Sequence, residues 1–430
     1  MFAVLFLICP AHAQDDDLKR QHDALFQQVL RAPGNVDLSL RYAEIATRRG
    51  DYEAAIGAFE RLVFTQPDRA DYRYELGVLY FRLGSYDLAR SYFESATASP
   101  DATQTIDNRS AAFLDEIERR LQTTRLSFSG LAGLRFQSNA NAGQNAAFMR
   151  VFGADIALSK DYARKPDWNW FMGGTLRSVH DLETQRGDLI ETQVGGYYAR
   201  QFNLTKLNAG ILDASLGPRL SLAPDLLPGW SVKPYLAATL ITLGDVPYAA
   251  SPGFGVSLAM PFDTVLVEPG YENRRRRYLN STENPAADDQ SGRFHLGYLA
   301  LSGRLTADLR WNARLGMSRA NARVDHFSHG ARSVDVGLAY EFQAFAALKD
   351  RWTIAPFLGL TATNYDQPNA SIDPNVRRRD REWRVGARLD APLWENAGLS
   401  AVIQYSRTLS SLPNYRMHNL SVSFGPTVRF

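Results

Sequence analysis

The carboxy-terminal eleven residues constrain this chain most. Leu420, Val422, Phe424, Pro426, Val428 and Phe430 fall on every second position, with Ser421, Ser423, Gly425, Thr427 and Arg429 between them. A strict two-residue period gives a strand with one apolar and one polar face. In a soluble sandwich the apolar face would meet a core. A strand that closes the chain on an aromatic residue fits the last strand of an outer-membrane β-barrel better, with lipid on the apolar side and a wet lumen on the other. Leu420, Val422, Phe424, Val428 and Phe430 are then expected to form the signal read by the barrel-assembly machinery.

The same alternation recurs upstream. Leu126, Phe128, Ala132, Leu134 and Phe136 alternate with Ser127, Ser129, Gly133 and Arg135. Trp311, Ala313, Leu315 and Met317 interleave with Arg310, Asn312, Arg314 and Gly316. Val334–Phe342 and Trp383–Ala391 follow suit, the latter with Arg384 and Arg388 on the polar face. Full charges cost little in a water-filled lumen, whereas each would need a buried partner in a packed sandwich. Arg135, Arg310, Arg314, Arg384, Arg388 and Arg429 are therefore expected to line a lumen. Aromatic residues near segment ends, Tyr197-Tyr198, Trp168 with Trp170, and Trp383, are expected in interfacial girdles.

About 15 candidate strands lie between Arg125 and Phe430. Single-chain bacterial barrels have an even number, so 14 is expected, with Leu207–Pro261 as the doubtful stretch. Short turns near Pro261, Ala307, Leu348 and Glu395 are expected on the periplasmic side. The longer stretches Asn280–Ser291, Arg323–Ala331, Asp366–Arg379 and Ser410–Arg416 should face outward.

A different period rules residues 17–122. Gly50, Tyr52, Ala55 and Phe59 recur 34 positions later as Gly84, Tyr86, Ala89 and Phe93. This resembles the tetratricopeptide repeat, in which Gly permits the turn, Ala lets helices approach and the aromatic residue fills the gap. Two repeats are marginal alone, so helices around Leu25 and Leu30 and from Thr105 to Leu121 are expected as caps. By position in the repeat, Leu40, Glu44, Tyr74, Val78 and Phe81 would line a concave face. That face is either a groove for a periplasmic client or chaperone, or simply helix packing.

The amino terminus, with apolar Phe2–Cys9 followed by Ala11-His12-Ala13, reads as a signal peptide over 1–13, although no Lys or Arg precedes the apolar run. Cleavage after Ala13 would remove Cys9, the single cysteine, and with it disulfide and thiol chemistry. No run of 18 apolar residues marks a spanning helix. The net charge of +2 gives no reason to expect nucleic acid.

Motifs of catalysis are thin. Asp325, His326 and His329 share one loop without forming a convergent metal site, and Gly253-x-Gly255 lacks the rest of a dinucleotide fingerprint. No cofactor and no enzymatic activity are expected. Two basic runs stand out, Arg274–Arg277 and Arg377–Arg379 with Arg381 and Arg384. Either alternate arginines point into a wet lumen or loop, or the runs bind lipid phosphate at the outer rim.

Together these features describe an α+β multidomain chain: an all-α repeat domain at 17–122, then an antiparallel transmembrane β-barrel of about 14 strands at 125–430. The layout resembles the surface lipoprotein assembly modifier family, also called type XI secretion translocons. Phe128–Asn141, ending Gln137-Ser-Asn-Ala-Asn141, resembles that family's first strand, with Gln137 in place of an Asp. Trp394, Gln404-Tyr405-Ser-Arg407, Ser410-Ser411, Tyr415 and Gly425–Phe430 resemble its last hairpin. A monomer in outer-membrane lipid is expected, and the resemblance implies that a periplasmic protein client is received at the helical domain and passes to the cell surface through or beside the barrel. The clients would be surface lipoproteins or secreted haem- and metal-capturing proteins. A polysaccharide export porin, a passive porin and an outer-membrane hydrolase are the alternatives.

Overall fold

The computed structural model describes residues 11–160, 162–344 and 351–430. It divides into two compact units, 1–122 and 123–430. The apolar stretch Phe2–Cys9 lies outside the described residues.

The first unit contains α1 (Ala11–Arg31), α2 (Val36–Arg49), α3 (Tyr52–Thr65), α4 (Ala70–Arg82), α5 (Tyr86–Thr97) and α6 (Gln104–Leu121). Gly50 and Gly84 follow the first helix of each pair at φ +81° and +77°, conformations that cost a residue with a Cβ. Asn35 and Asp51 cap the starts of α2 and α3, accepting from the Leu38 and Ala54 amides at 3.1 and 3.2 Å. Ala55 and Ala89 are fully buried, and Phe59 and Phe93 fill the space beside them. Two clusters result, one centred on Ala43, Phe59, Leu62, Leu76 and Leu79, the other on Ala89, Phe93 and Ile117.

The second unit contains β1 (Thr124–Gln137), β2 (Phe148–Val151), β3 (Ala154–Ala157), β4 (Asp167–Asp181), β5 (Leu189–Gln201), β6 (Ala209–Ser221), β7 (Ser231–Leu243) and β8 (Val246–Phe262). It continues with β9 (Val265–Tyr278), β10 (Gly292–Arg304), β11 (Leu309–Ala322), β12 (His329–Phe342), β13 (Trp352–Tyr365), β14 (Arg379–Trp394), β15 (Ala397–Ser410) and β16 (Met417–Arg429). Fourteen of these close an antiparallel barrel, β1 pairing with β4 on one side and β16 on the other; β2 and β3 form a separate hairpin. Barrel strands of 13 to 17 residues exceed the roughly 9–11 that span hydrocarbon. Among the described residues no helix is long and apolar enough to cross a membrane.

The doubtful stretch 207–261 resolves into β6, β7 and β8. The last two are joined by Gly244-Asp245, both at positive φ (62° and 64°), as a tight hairpin requires. The turn expected near Leu348 lies outside the described residues. Those at 263–264, 305–308 and 395–396 share one barrel end with the start of β1 and the end of β16, whereas 138–166, 279–291, 366–378 and 411–416 sit at the other. Strand β12 begins at His329, so the loop expected over 323–331 is shorter than its sequence suggested.

Outward residues are apolar and exposed: Leu126, Leu134, Leu315, Met317, Val336, Val385, Leu420, Phe424, Val428 and Phe430 among them. Val422 shares the face of Leu420 and Phe424. Trp168, Trp170 and Tyr198 point outward, but Tyr197 does not, because neighbours on a strand take opposite faces. Trp383 lies well inside β14 rather than at its end.

Candidate functional site: a capped lumen and its seam

Three features of the barrel could act on a passing molecule: the charges inside, the cap over one mouth, and the junction where the sheet closes. The six arginines expected in the lumen all lie on inward positions. Arg310 reaches Glu341 at 2.6 Å, and Arg384 reaches Asp335 at 2.8 Å and Glu382 at 3.5 Å. Arg388 stands 4.0 Å from Asp390. Arg314 lies 3.9 Å from the centre of the Tyr298 ring, and Arg135 sits between Phe171 and Tyr197 at 5.7 and 5.9 Å. Arg429, with Arg310, Arg351 and Arg388, lines a cavity of about 510 Å³ at the end where the chain enters the barrel.

The strongest inward cluster was not apparent from the sequence. Glu191, only 4% exposed, holds Arg219 at 2.8 Å, Lys233 at 2.9 Å and Arg177 at 3.0 Å. Nearby, Arg274 bonds to Glu272 at 2.6 Å, to Thr239, and to Asp213 at 3.4 Å. One carboxylate shared by three cations leaves the cluster net positive, which a wet lumen tolerates because the Arg177 side chain is half exposed. The lumen wall therefore carries both signs, largely paired.

The mouth opposite the start of β1 and the end of β16 carries the 138–166 connection, which includes the β2–β3 hairpin. Arg150 is its main tie. Its guanidinium reaches Asp373 at 2.9 Å and Asp155 at 2.7 Å, and its amide donates to Asn414 Oδ1 at 2.8 Å. The Phe152 and Gly153 amides donate to the carbonyls of Ser371 and Ile372 at 3.1 and 2.8 Å. Other loops join across the mouth through Lys206–Glu283 at 2.9 Å and Arg323–Asp288 at 2.5 Å. A cavity of about 690 Å³ lies among these loops, lined by Met149, Leu207, Asn284 and Tyr415.

The Ser138-Asn-Ala-Asn141 segment roots this cap. Asn139 is buried, and its side chain donates to the Gly143 carbonyl at 2.7 Å while accepting from the Gly143 amide at 2.8 Å. Asn141 clamps the returning chain, donating to Ala163 O and accepting from the Lys165 amide, both at 2.8 Å. Ser138 accepts from the Leu420 amide at 2.8 Å, tying the stem to β16.

The third feature is the β1–β16 seam. Phe128 and Phe430 exchange both backbone bonds, at 2.9 and 3.0 Å, so the even-numbered residues of β16 present their amides to β1. Pro426 has no amide hydrogen to present. Paired register runs from Ser129↔Arg429 to Leu131↔Thr427 and resumes only at Leu134↔Phe424. In that gap Gly133 and Gly425 lie so close that a Cβ on Gly425 would stand 1.8 Å from the Ala132 carbonyl oxygen.

In the helical unit, Glu44 is exposed and Leu40 packs partly against the first cluster. Tyr74, Val78 and Phe81 are turned against α6, where Phe113 lies 6.2 Å from the Tyr74 ring and 5.1 Å from that of Phe81. These three are partly buried against α6 and its neighbours. His329 faces the barrel interior with its Nδ1 2.8 Å from the Phe327 carbonyl. Among the described residues no three His, Cys, Asp or Glu side chains gather as metal ligands.

Residues 23–69 and 40–103 match the tetratricopeptide repeat family. No curated protein sequence matches the chain. Among solved structures, the type III secretion chaperone SycD of Yersinia enterocolitica, in complex with a peptide of the translocator YopD, is 12% identical. It covers 26% of this chain and 86% of its own length, with a TM-score of 0.23. PcrH from Pseudomonas aeruginosa is 18% identical, covering 24% and 92%, TM-score 0.19. A type III secretion complex from Aeromonas hydrophila is 16% identical, covering 26% and 75%, TM-score 0.22. The chain thus joins tetratricopeptide repeats, a protein-interaction architecture, to a large closed barrel with an apolar outer face. That combination fits an outer-membrane protein carrying an interaction domain.

Proposed function

We propose that this chain is an outer-membrane translocon of the surface lipoprotein assembly modifier type. It receives a periplasmic protein client, a surface lipoprotein or a secreted haem- or metal-capturing protein, at the repeat domain and delivers it to the cell surface. The observation that carries this reading is an interaction domain that leads directly into a barrel whose loops bond to one another over one mouth. A passive porin favours a wide mouth, and the connection rooted at Asn139 and tied by Arg150 lies over this one. A polysaccharide export porin would favour one sign of charge along its lumen, whereas this lumen pairs both signs around Glu191, Arg274 and Arg384. No step in the transfer requires covalent chemistry or a cofactor.

The entry of β1 at the end bearing short turns and the carboxy terminus supports a periplasmic repeat domain. The seam favours delivery beside the barrel: Pro426 removes one β1–β16 bond midway along it, while the cap is tied by several bonds and an ion pair. Gene deletion tests the reading. Loss of one surface or secreted protein with polysaccharide unchanged supports it. Loss of capsule or matrix with the surface proteome intact refutes it, as does unchanged export after removal of residues 17–122 from an otherwise stable barrel.

A further inference from the structure

Arginines on the two sides of the barrel wall differ in their company. Inward, Arg274, Arg310 and Arg384 each bond a carboxylate. Outward, Arg275, Arg277, Arg293 and Arg332 are exposed, and among the described residues none of them pairs with a carboxylate. Their orientation follows from register. Tyr271 is opposite Gly297, which is opposite Met317, an outward residue 62% exposed; Met317 is in turn opposite Arg332. Odd positions of β9, β10 and β11 and even positions of β12 therefore face away from the lumen.

Along the outer halves of these four strands, the outward positions are Tyr271, Asn273, Arg275 and Arg277; Arg293, His295 and Gly297; Met317, Arg319 and Asn321; and Gly330 and Arg332. None is acidic. Arg319 alone has a carboxylate, Asp366, reaching it from the 366–378 loop. Arg275 stands directly opposite Arg293. Like charges in that position repel and destabilise a sheet unless an anion lies between them. Toward the barrel's middle the same faces turn apolar, through Pro269 and Val267 on β9 and Leu299 and Leu301 on β10. A cavity of about 920 Å³ at the adjoining rim is lined by Arg275, Arg276, Arg277 and Arg323; its carboxylate, Asp288, is already taken by Arg323.

We propose that the outward face of β9–β12 is a binding surface for the phosphate groups of an outer-leaflet glycolipid. Phosphate oxygens bridge Arg275 and Arg293, Arg277 closes the site from the rim, and the acyl chains lie on the apolar wall below. Guanidinium groups suit this ligand because they bind phosphate bidentately and lose little on leaving water. The site rests on the reading of the barrel as an outer-membrane protein.

The test is native mass spectrometry of the detergent-purified full chain, titrated with bis-phosphorylated lipid A, its dephosphorylated form, or inorganic phosphate. Wild type should bind the phosphorylated lipid, and R275Q/R277Q/R293Q should bind it roughly a hundredfold more weakly, on the scale of three arginine–headgroup contacts. R275K/R277K/R293K keeps the charge without the fork and should fall between them. Equal retention by the glutamine variant, or equal binding of dephosphorylated lipid, overturns the proposal. Displacement by low-millimolar inorganic phosphate would reveal a free-anion site and also overturn it. If the triple variant does not fold, single R293Q carries the comparison. Fractionation of wild-type cells is read separately, so a barrel absent from the outer membrane is told apart from one that resides there without this lipid.

Discussion

Replacing Gly425 by Ala probes the seam most directly. A Cβ built on Gly425 would lie 1.8 Å from the Ala132 carbonyl oxygen, and real Cβ contacts essentially never fall below 3.0 Å. The strands must separate by about 1.2 Å, the difference between those distances, because the obstructing atoms are backbone and cannot rotate away. Such a shift carries an ordinary backbone bond of ~2.9 Å past ~4 Å, which ends it. The hydrogen-bonded pairs that flank the gap are Gly130↔Val428 and Leu134↔Phe424, and one bond of each is at stake. At ~0.5–1.5 kcal/mol each, the expected loss is about 1–3 kcal/mol. Gly297→Ala is the control: nothing lies within 4 Å of its Cβ, and Ala is favoured over Gly in a strand by ~0.5–1 kcal/mol. Folded barrels resist SDS and migrate differently after heating, so a urea or temperature series scored on unheated gels measures both variants. Gly425→Ala should unfold earlier than wild type, and Gly297→Ala at the same point or later. If Gly425→Ala matches wild type, or both variants lose equally, the close approach at the seam is not there.

The remaining predictions concern the cap, the lumen and the helices. Arg150→Ala removes the tie from β2 to Asp373 and Asp155, and single-channel conductance in planar bilayers should rise; unchanged conductance would mean that the 138–166 connection does not close the mouth. The Asn375 amide and the Arg150 guanidinium hold the Asp373 carboxyl below its ordinary value of 3.8. A depressed carboxyl contributes stability above its ordinary value and loses it as pH falls through the folded value, so the cap should stay closed down to pH 3.8 and open only in stronger acid, read as a conductance step. Combined with Arg150→Ala to open the mouth, Glu191→Gln leaves Arg177, Arg219 and Lys233 without their shared anion and should shift reversal potentials toward anion selectivity. Gly77→Ala gains ~0.5–1 kcal/mol of helix preference but drives a Cβ to 2.7 Å from the Phe93 ring, which is fully buried and stacked on Phe113 at 4.8 Å. Overpacking costs ~1–3 kcal/mol, so helix melting followed by circular dichroism at 222 nm should fall, and a rise would refute the packing account.

What the sequence made legible was whatever repeats at a period set by one element alone. Leu420 to Phe430 declares its faces because a strand alternates whatever its neighbours are. Gly50 and Gly84 declare a turn because a left-handed residue is a local requirement. The cap did not announce itself, since β2 and β3 have four residues each and take their order from Asn414, Asp373 and Ile372, which lie far along the chain. Glu191 was equally silent, because its partners stand on β4, β6 and β7 and meet only when register is known. Some of what was missed was nonetheless within reach. Tyr197-Tyr198 cannot both join a girdle on an alternating strand, and one must enter the lumen. The same reasoning divides Arg274–Arg277 into two pairs, Arg274 and Arg276 facing inward and Arg275 and Arg277 outward. The choice between a wet-lumen role and a lipid role for that run was therefore false. Arg274 can neutralise Glu272 and Asp213, and Arg276 can lie over the Phe294 ring, only because both turn away from lipid, and the outward pair, deprived of those carboxylates by the same geometry, is left to find its anion outside the protein.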